Sequence, residues 1–178
     1  MNEHTLRLRN ELDEIVRRGK ELVMSVDEAT LTRRPAAGSW SAAECVDHLS
    51  VVAETYVRRI RRALDAAPKQ PPRGSEKLTF LGKLMVRFAE PPARMRLPVP
   101  PKLVPAANAV PREELVARYA STHAELIRLL EESDAVDRRK IRVATPASRR
   151  VTLPVLDVVA LIAAHARRHL WQAERAMR

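Results

Sequence analysis

Histidines at positions 48, 165 and 169 have the chemistry and the spacing to hold a divalent metal ion. His165 and His169 are four residues apart, and a helix turns once every 3.6 residues, so both imidazoles leave one face. A third imidazole from a facing helix completes a three-nitrogen cap and leaves one or more coordination positions open to water or substrate.

All three lie on apolar stripes. His48 falls within Cys45, Leu49, Val52, Tyr56 and Ile60, and the other two run along Val155, Val158, Val159, Ile162, Ala166, Ala173 and Met177. Each ring should therefore face the core. Three inward imidazoles are costly unless each finds a hydrogen-bond partner or a cation, and one shared ion answers all three. A lone histidine on an apolar face is more often bonded to a backbone carbonyl, and an H-x-x-x-H pair alone is common by chance. The third histidine separates this chain from that case.

Other polar groups are weaker candidates. His4 sits in a fraying first turn, and His123, between Thr122 and Ala124, reads as a solvated or interhelical polar group; both are left outside the site. Cys45, one turn before His48, can reach an ion as a thiolate, although its place in the helix favours packing. Asp47 points about 100° away from its neighbour His48 and is a poor ligand to the same ion. Gln172, one turn beyond His169, is placed to contact a substrate or cofactor or to orient a ligand. The sequence holds no nucleophile-base triad and no phosphate-binding glycine loop, so no catalytic residue is assigned and any chemistry must come from the ion.

Four long helices must carry these side chains. The first runs from about Glu3 to Val26, with Leu8, Leu12, Ile15, Val16, Leu22 and Val23 as its stripe. The second starts at a capping box, Ser41 with Glu44, with Trp40 placed to staple onto Cys45, and continues to about Ala66, where Pro68, Pro71 and Pro72 stop it. The third runs from Pro111 to about Glu132, with Leu115, Tyr119, Leu126, Ile127 and Leu130 inward. The fourth begins near Thr152, tolerates Pro154 in its first turn and reaches the end of the chain. Between the second and third, residues 68–110 form a long proline-rich crossover around a short amphipathic segment, Glu76 to Ala89. Such a connection either shapes the pocket over the ion as a lid or serves as a flexible linker.

Composition agrees with a helical domain. The chain has 178 residues, enough for one core, and is read as a single domain over 1–178. Aromatic residues are 3% and glycines number 4, which favours helices of Ala, Leu and Val over a sheet. One cysteine and a polar start, Met1-Asn2-Glu3-His4, suggest a reducing cytoplasm, and no apolar run is long enough for a membrane span. The net charge of +10 is spread as scattered arginine doublets, such as Arg17-Arg18, Arg61-Arg62 and Arg167-Arg168, with no basic arm or aromatic array. Neither nucleic acid nor membrane is expected as a partner.

The stretch Gly-Ser-Trp-Ser-Ala-Ala-Glu-Cys-Val-Asp-His-Leu (38–49) and the closing Ile-Ala-Ala-His-Ala-Arg-Arg-His-Leu-Trp-Gln (162–172) resemble the two signatures of the DinB-like (DinB/YfiT-like) metalloenzyme superfamily. The likeness spans nearly the whole chain through order and spacing, and the middle section carries no signature residue. It implies an all-α, up-down-down-up four-helix bundle, a divalent ion, zinc or nickel in many members, on His48, His165 and His169, and a homodimer. It also implies a small-molecule substrate and a low-molecular-weight thiol as co-substrate. The reaction stays open between thiol S-transfer, hydrolysis and a non-catalytic binding or stress-response role with a structural or vestigial metal site.

Overall fold

The computed structural model describes residues 3–68, 70, 77–92, 99–106, 110–146, 148 and 150–178. Helices dominate: α1 (Glu3–Met24), α2 (Glu28–Thr32), α3 (Ala42–Asp65), α4 (Phe80–Ala89), α5 (Arg112–Ser133) and α6 (Val155–Ala176). A short 3-10 turn spans Pro101–Leu103, and two strands, β1 (Arg142–Ala144) and β2 (Thr152–Pro154), form an antiparallel pair with Val143 opposite Leu153.

The apolar stripes of the four long helices make the core. Leu12, Val23, Ile60, Leu115, Tyr119, Leu126, Leu130, Val158 and Ala166 are all buried. Val16 and Ile127, expected inward, are only half-buried, and Leu129 takes the inward place on α5. α1 packs against α5 and α6, and α3 packs against the same two helices. Tyr119 reaches from α5 to donate its hydroxyl to the Ile15 carbonyl at 2.8 Å, and its ring lies where a Cβ on Gly19 would stand. Glycine there lets the two helices approach closely. Ion pairs set the register outside the core: Arg118 meets Asp47 and Glu54, Arg61 meets Glu125 and Glu132, Arg18 meets Glu174, and Arg167 meets Glu11.

Helix starts follow local chemistry. Ser41 accepts from the Glu44 N–H at 3.1 Å and Glu44 accepts from the Ser41 N–H at 2.8 Å, so the capping box is formed. Arg34 adds an ion pair to the buried Glu44 carboxylate. Three boundaries differ from the sequence reading. α1 stops at Met24, and Asp27, accepting from the Thr30 N–H at 2.7 Å, caps the unforeseen α2. Thr152 belongs to a strand, and α6 starts only after Pro154, whose ring cannot supply the helix with a backbone donor. The amphipathic segment starts at Phe80, because Thr79 caps it through the Gly82 N–H at 3.0 Å; Glu76 lies outside the described residues, as do Pro71 and Pro72.

The described parts of 68–110 are tied to the bundle. α4 lies along α6, where buried Asp157 accepts from the Thr79 N–H at 3.1 Å and from the Thr79 hydroxyl. Gly82 is packed so tightly on Asp157 that a Cβ would overlap the carboxylate. Further on, the Ala106 N–H donates to Asp47 on α3 at 2.8 Å.

Candidate metal centre

α3 and α6 bring His48, His165 and His169 together, and one nitrogen from each ring lies within 4.8 Å of the others. The Nε2 atoms of His48 and His165 are 3.4 Å apart. That separation is the edge of a tetrahedron whose centre is about 2.0–2.1 Å from each nitrogen, the distance of a zinc–imidazole bond. The rings of His165 and His169 are 4.4 Å apart between centroids, as side chains one turn apart on a helix must be.

The proton of His48 is disposed to leave a lone pair at the cluster. His48 Nδ1 lies 2.7 Å from the Leu103 carbonyl, which can only accept, so Nδ1 carries the hydrogen and Nε2 is bare. Burial holds the His48 ring below its ordinary pKa, with the Leu103 bond acting the other way. Burial, then repulsion from His48 and Arg168, takes His165 down to about 3, and burial with the neighbouring rings and Arg168 holds His169 well below 6.5. All three are neutral at pH 7, the form that ligates. The buried Nδ1 atoms of His165 and His169 have no hydrogen-bond partner. Three neutral imidazoles converging within 4.8 Å in a largely buried site fit a cation better than a packed core.

Trp40 packs its ring against this cluster, with centroids 4.7 Å from His48 and 5.7 Å from His169. The staple expected from its position before the cap does not anticipate that contact. Cys45 is buried and outside the cluster, and burial pushes its thiol up to about 12, so the thiolate ligand is not borne out among the described residues. Asp47 points away, as its helix position requires, and binds Arg118 at 2.7 Å. His123 is fully buried rather than solvated: its Nδ1 bonds to the Tyr119 carbonyl at 2.8 Å, and burial lowers it to about 4.

The cluster opens on a cavity of about 1000 Å³. α3 contributes Val52 and Tyr56, α4 contributes Met85 and Phe88, the 99–103 stretch contributes Val99, Pro100 and Leu103, and the β1–β2 loop contributes Thr145 and Pro146. Gln172 lines it together with Arg168, Trp171 and Arg175 from α6. Sequence reasoning missed Leu103, whose part is played by a backbone atom, and the hairpin residues. Arg168 carried a legible signal, since it lies three residues after His165 on the same face.

A family profile described as the DinB superfamily matches residues 11–173. The chain belongs to the DinB superfamily. No curated protein and no solved structure matches it significantly. The match covers all three histidines of this DinB-superfamily chain, as well as the crossover and the hairpin. No helix among the described residues is long and apolar enough to cross a membrane.

Proposed function

We propose that this DinB-superfamily chain is a metal-dependent enzyme in which His48, His165 and His169 hold one zinc or nickel ion facing the cavity. The observation that carries the reading is the convergence of three neutral imidazoles, with the Nε2 atoms of His48 and His165 3.4 Å apart, beside an open pocket. Bound there, a divalent ion supplies Lewis acidity and lowers the pKa of a thiol or water in an open position. The protein's own residues do the rest. Leu103 fixes the His48 tautomer, Trp40 keeps water from one side of the cluster, and Gln172, one turn beyond His169, positions the substrate.

We infer thiol S-transfer to a small electrophile as the reaction class, with a low-molecular-weight thiol as co-substrate and hydrolysis next in line. The pairings of Arg118 with Asp47 and of Arg61 with Glu132 support parallel α3 and α5, and those of Glu11 with Arg167 and of Arg18 with Glu174 support parallel α1 and α6. An up-down-down-up bundle is the corresponding scaffold, acting as a cytoplasmic homodimer.

Elemental analysis of purified protein tests the site: one ion per chain is expected in wild type and little in His48→Ala. A panel of thiols crossed with electrophiles tests the chemistry, with Gln172→Ala expected to keep metal and lose mainly rate. Equal metal in wild type and His48→Ala would end the reading. Full metal with no reaction of any thiol, ester or amide would favour the second reading, a small-molecule binding module, which the size and apolar walls of the cavity support.

A further inference from the structure

Among the described residues the cavity is lined by one sign of charge: its wall holds two arginines, Arg168 and Arg175, and no aspartate or glutamate. Several arginines outside the cavity meet carboxylates: Arg17, Arg61, Arg118 and Arg167 are all in ion pairs. Arg175 makes no ion pair among the described residues, and its guanidinium lies over the Trp171 ring at 5.0 Å from the centroid. Arg168 is half-buried, with the Phe88 carbonyl 3.4 Å from Nη1.

Both arginines stand on the ridge of α6 that carries His165 and Gln172. The steps from His165 to Arg168, Gln172 and Arg175 are three, four and three residues, so the four side chains leave the helix in one narrow sector. The arginines are about 10.5 Å apart along the axis, with Gln172 between them. Two long, flexible guanidinium side chains can close on an anion from either side of that amide.

We propose that the cavity takes an organic acid: its apolar body lies against Val52, Tyr56, Met85 and Phe88, and its carboxylate is held by Arg168 and Arg175 beside Gln172. This deepens the metal-site reading and rests on it only in placing the ligand's far end at the histidines. Two cations on a largely apolar wall with no acidic side chain among the described residues favour an anionic ligand over a neutral one of equal shape.

Calorimetric titration of the full chain with decanoate, and with decanol as the neutral match, tests this with and without one equivalent of zinc. Decanoate is expected to bind about tenfold more tightly than decanol in both conditions. The Arg168→Gln/Arg175→Gln variant should lose that preference and keep its affinity for decanol. Arg175→Glu, a reversal at an exposed position, should by itself weaken decanoate and spare decanol. Equal binding of the two probes, or a preference unchanged in the variants, would overturn the proposal. Loss of decanol binding in the variants would assign the arginines a structural role and overturn it as well. His48→Ala separates the two readings. A decanoate preference that survives there, whatever the metal content, supports the arginine site. A preference that appears only with zinc and vanishes in His48→Ala puts the carboxylate on the ion, leaving the metal reading intact and this one refuted.

Discussion

His48 and Leu103 are joined by a 2.7 Å hydrogen bond from a ring nitrogen to a main-chain carbonyl. The ring comes from the second long helix and the carbonyl from the stretch that crosses over before the third. Whatever orders the ring therefore also orders the crossover.

Removal of the metal should expose that coupling. At an ion concentration 100-fold above Kd, binding contributes about 2.7 kcal/mol, which in a domain of this size moves the melting temperature by about 5–10 °C. Chelation should lower the melting temperature by that order while the helical circular dichroism persists, and amide exchange at Leu103, Val104 and Ala106 should quicken. Complete unfolding on chelation would indicate a purely structural site, and an unchanged melt would indicate none.

Asp47→Asn tests the second anchor of the crossover. The buried carboxylate accepts from Arg118 at 2.7 Å and from the Ala106 N–H at 2.8 Å, and neutralising it should cost about 1–3 kcal/mol in urea unfolding. Exchange at Ala106 should rise while metal content stays at the wild-type level. Loss of metal would show that the residue helps to hold the cluster.

His123 sets an acid limit on stability. Its pKa is about 4 when folded and near 6.5 when exposed, so between those values the unfolded chain takes up a proton that the folded chain refuses. Stability should fall as pH drops from 6.5 to 4 and level off below, by about 3 kcal/mol from this group. His123→Leu should remove that share of the loss between pH 7 and pH 4.5 in urea titrations, leaving the share due to the lowered His48, His165 and His169. An identical loss in both proteins would clear His123.

Gly82→Ala should lift α4 from α6. A methyl there overlaps the Asp157 carboxylate, and overpacking of this kind costs about 1–3 kcal/mol. Hydrogen exchange should accelerate across residues 80–89, and metal content should hold, because the ligands lie on α3 and α6. Unchanged exchange in α4 would mean that the helix accommodates the methyl by a local shift.

The parts of the site that were legible in the sequence are those set by helix periodicity. Ser41 and Glu44 announce a helix start, and His48, His165 and His169 fall on stripes whose inward direction follows from spacing alone. What escaped depends on tertiary contacts that no period encodes. Leu103 acts through an atom every residue possesses, and the pairing of Val143 with Leu153 joins two strands of three residues, too short to show alternation. Asp157 reads as an ordinary acid in a helix's first turn, and only the docked helix reveals it as the acceptor for Thr79. His123 could have been placed inward, since it is four residues after Tyr119 and three before Leu126.

The three histidines come from two helices, whereas much of the rest of the cavity wall comes from residues 85–89, 99–103 and 145–146, which lie in a short docked helix, a turn and a hairpin loop. The histidines and the apolar part of the wall are thus written largely in separate stretches of the chain, while the arginines of the wall share α6 with two of the histidines. A descendant could exchange α4 or the hairpin for another shape and meet a different molecule with the same three imidazoles.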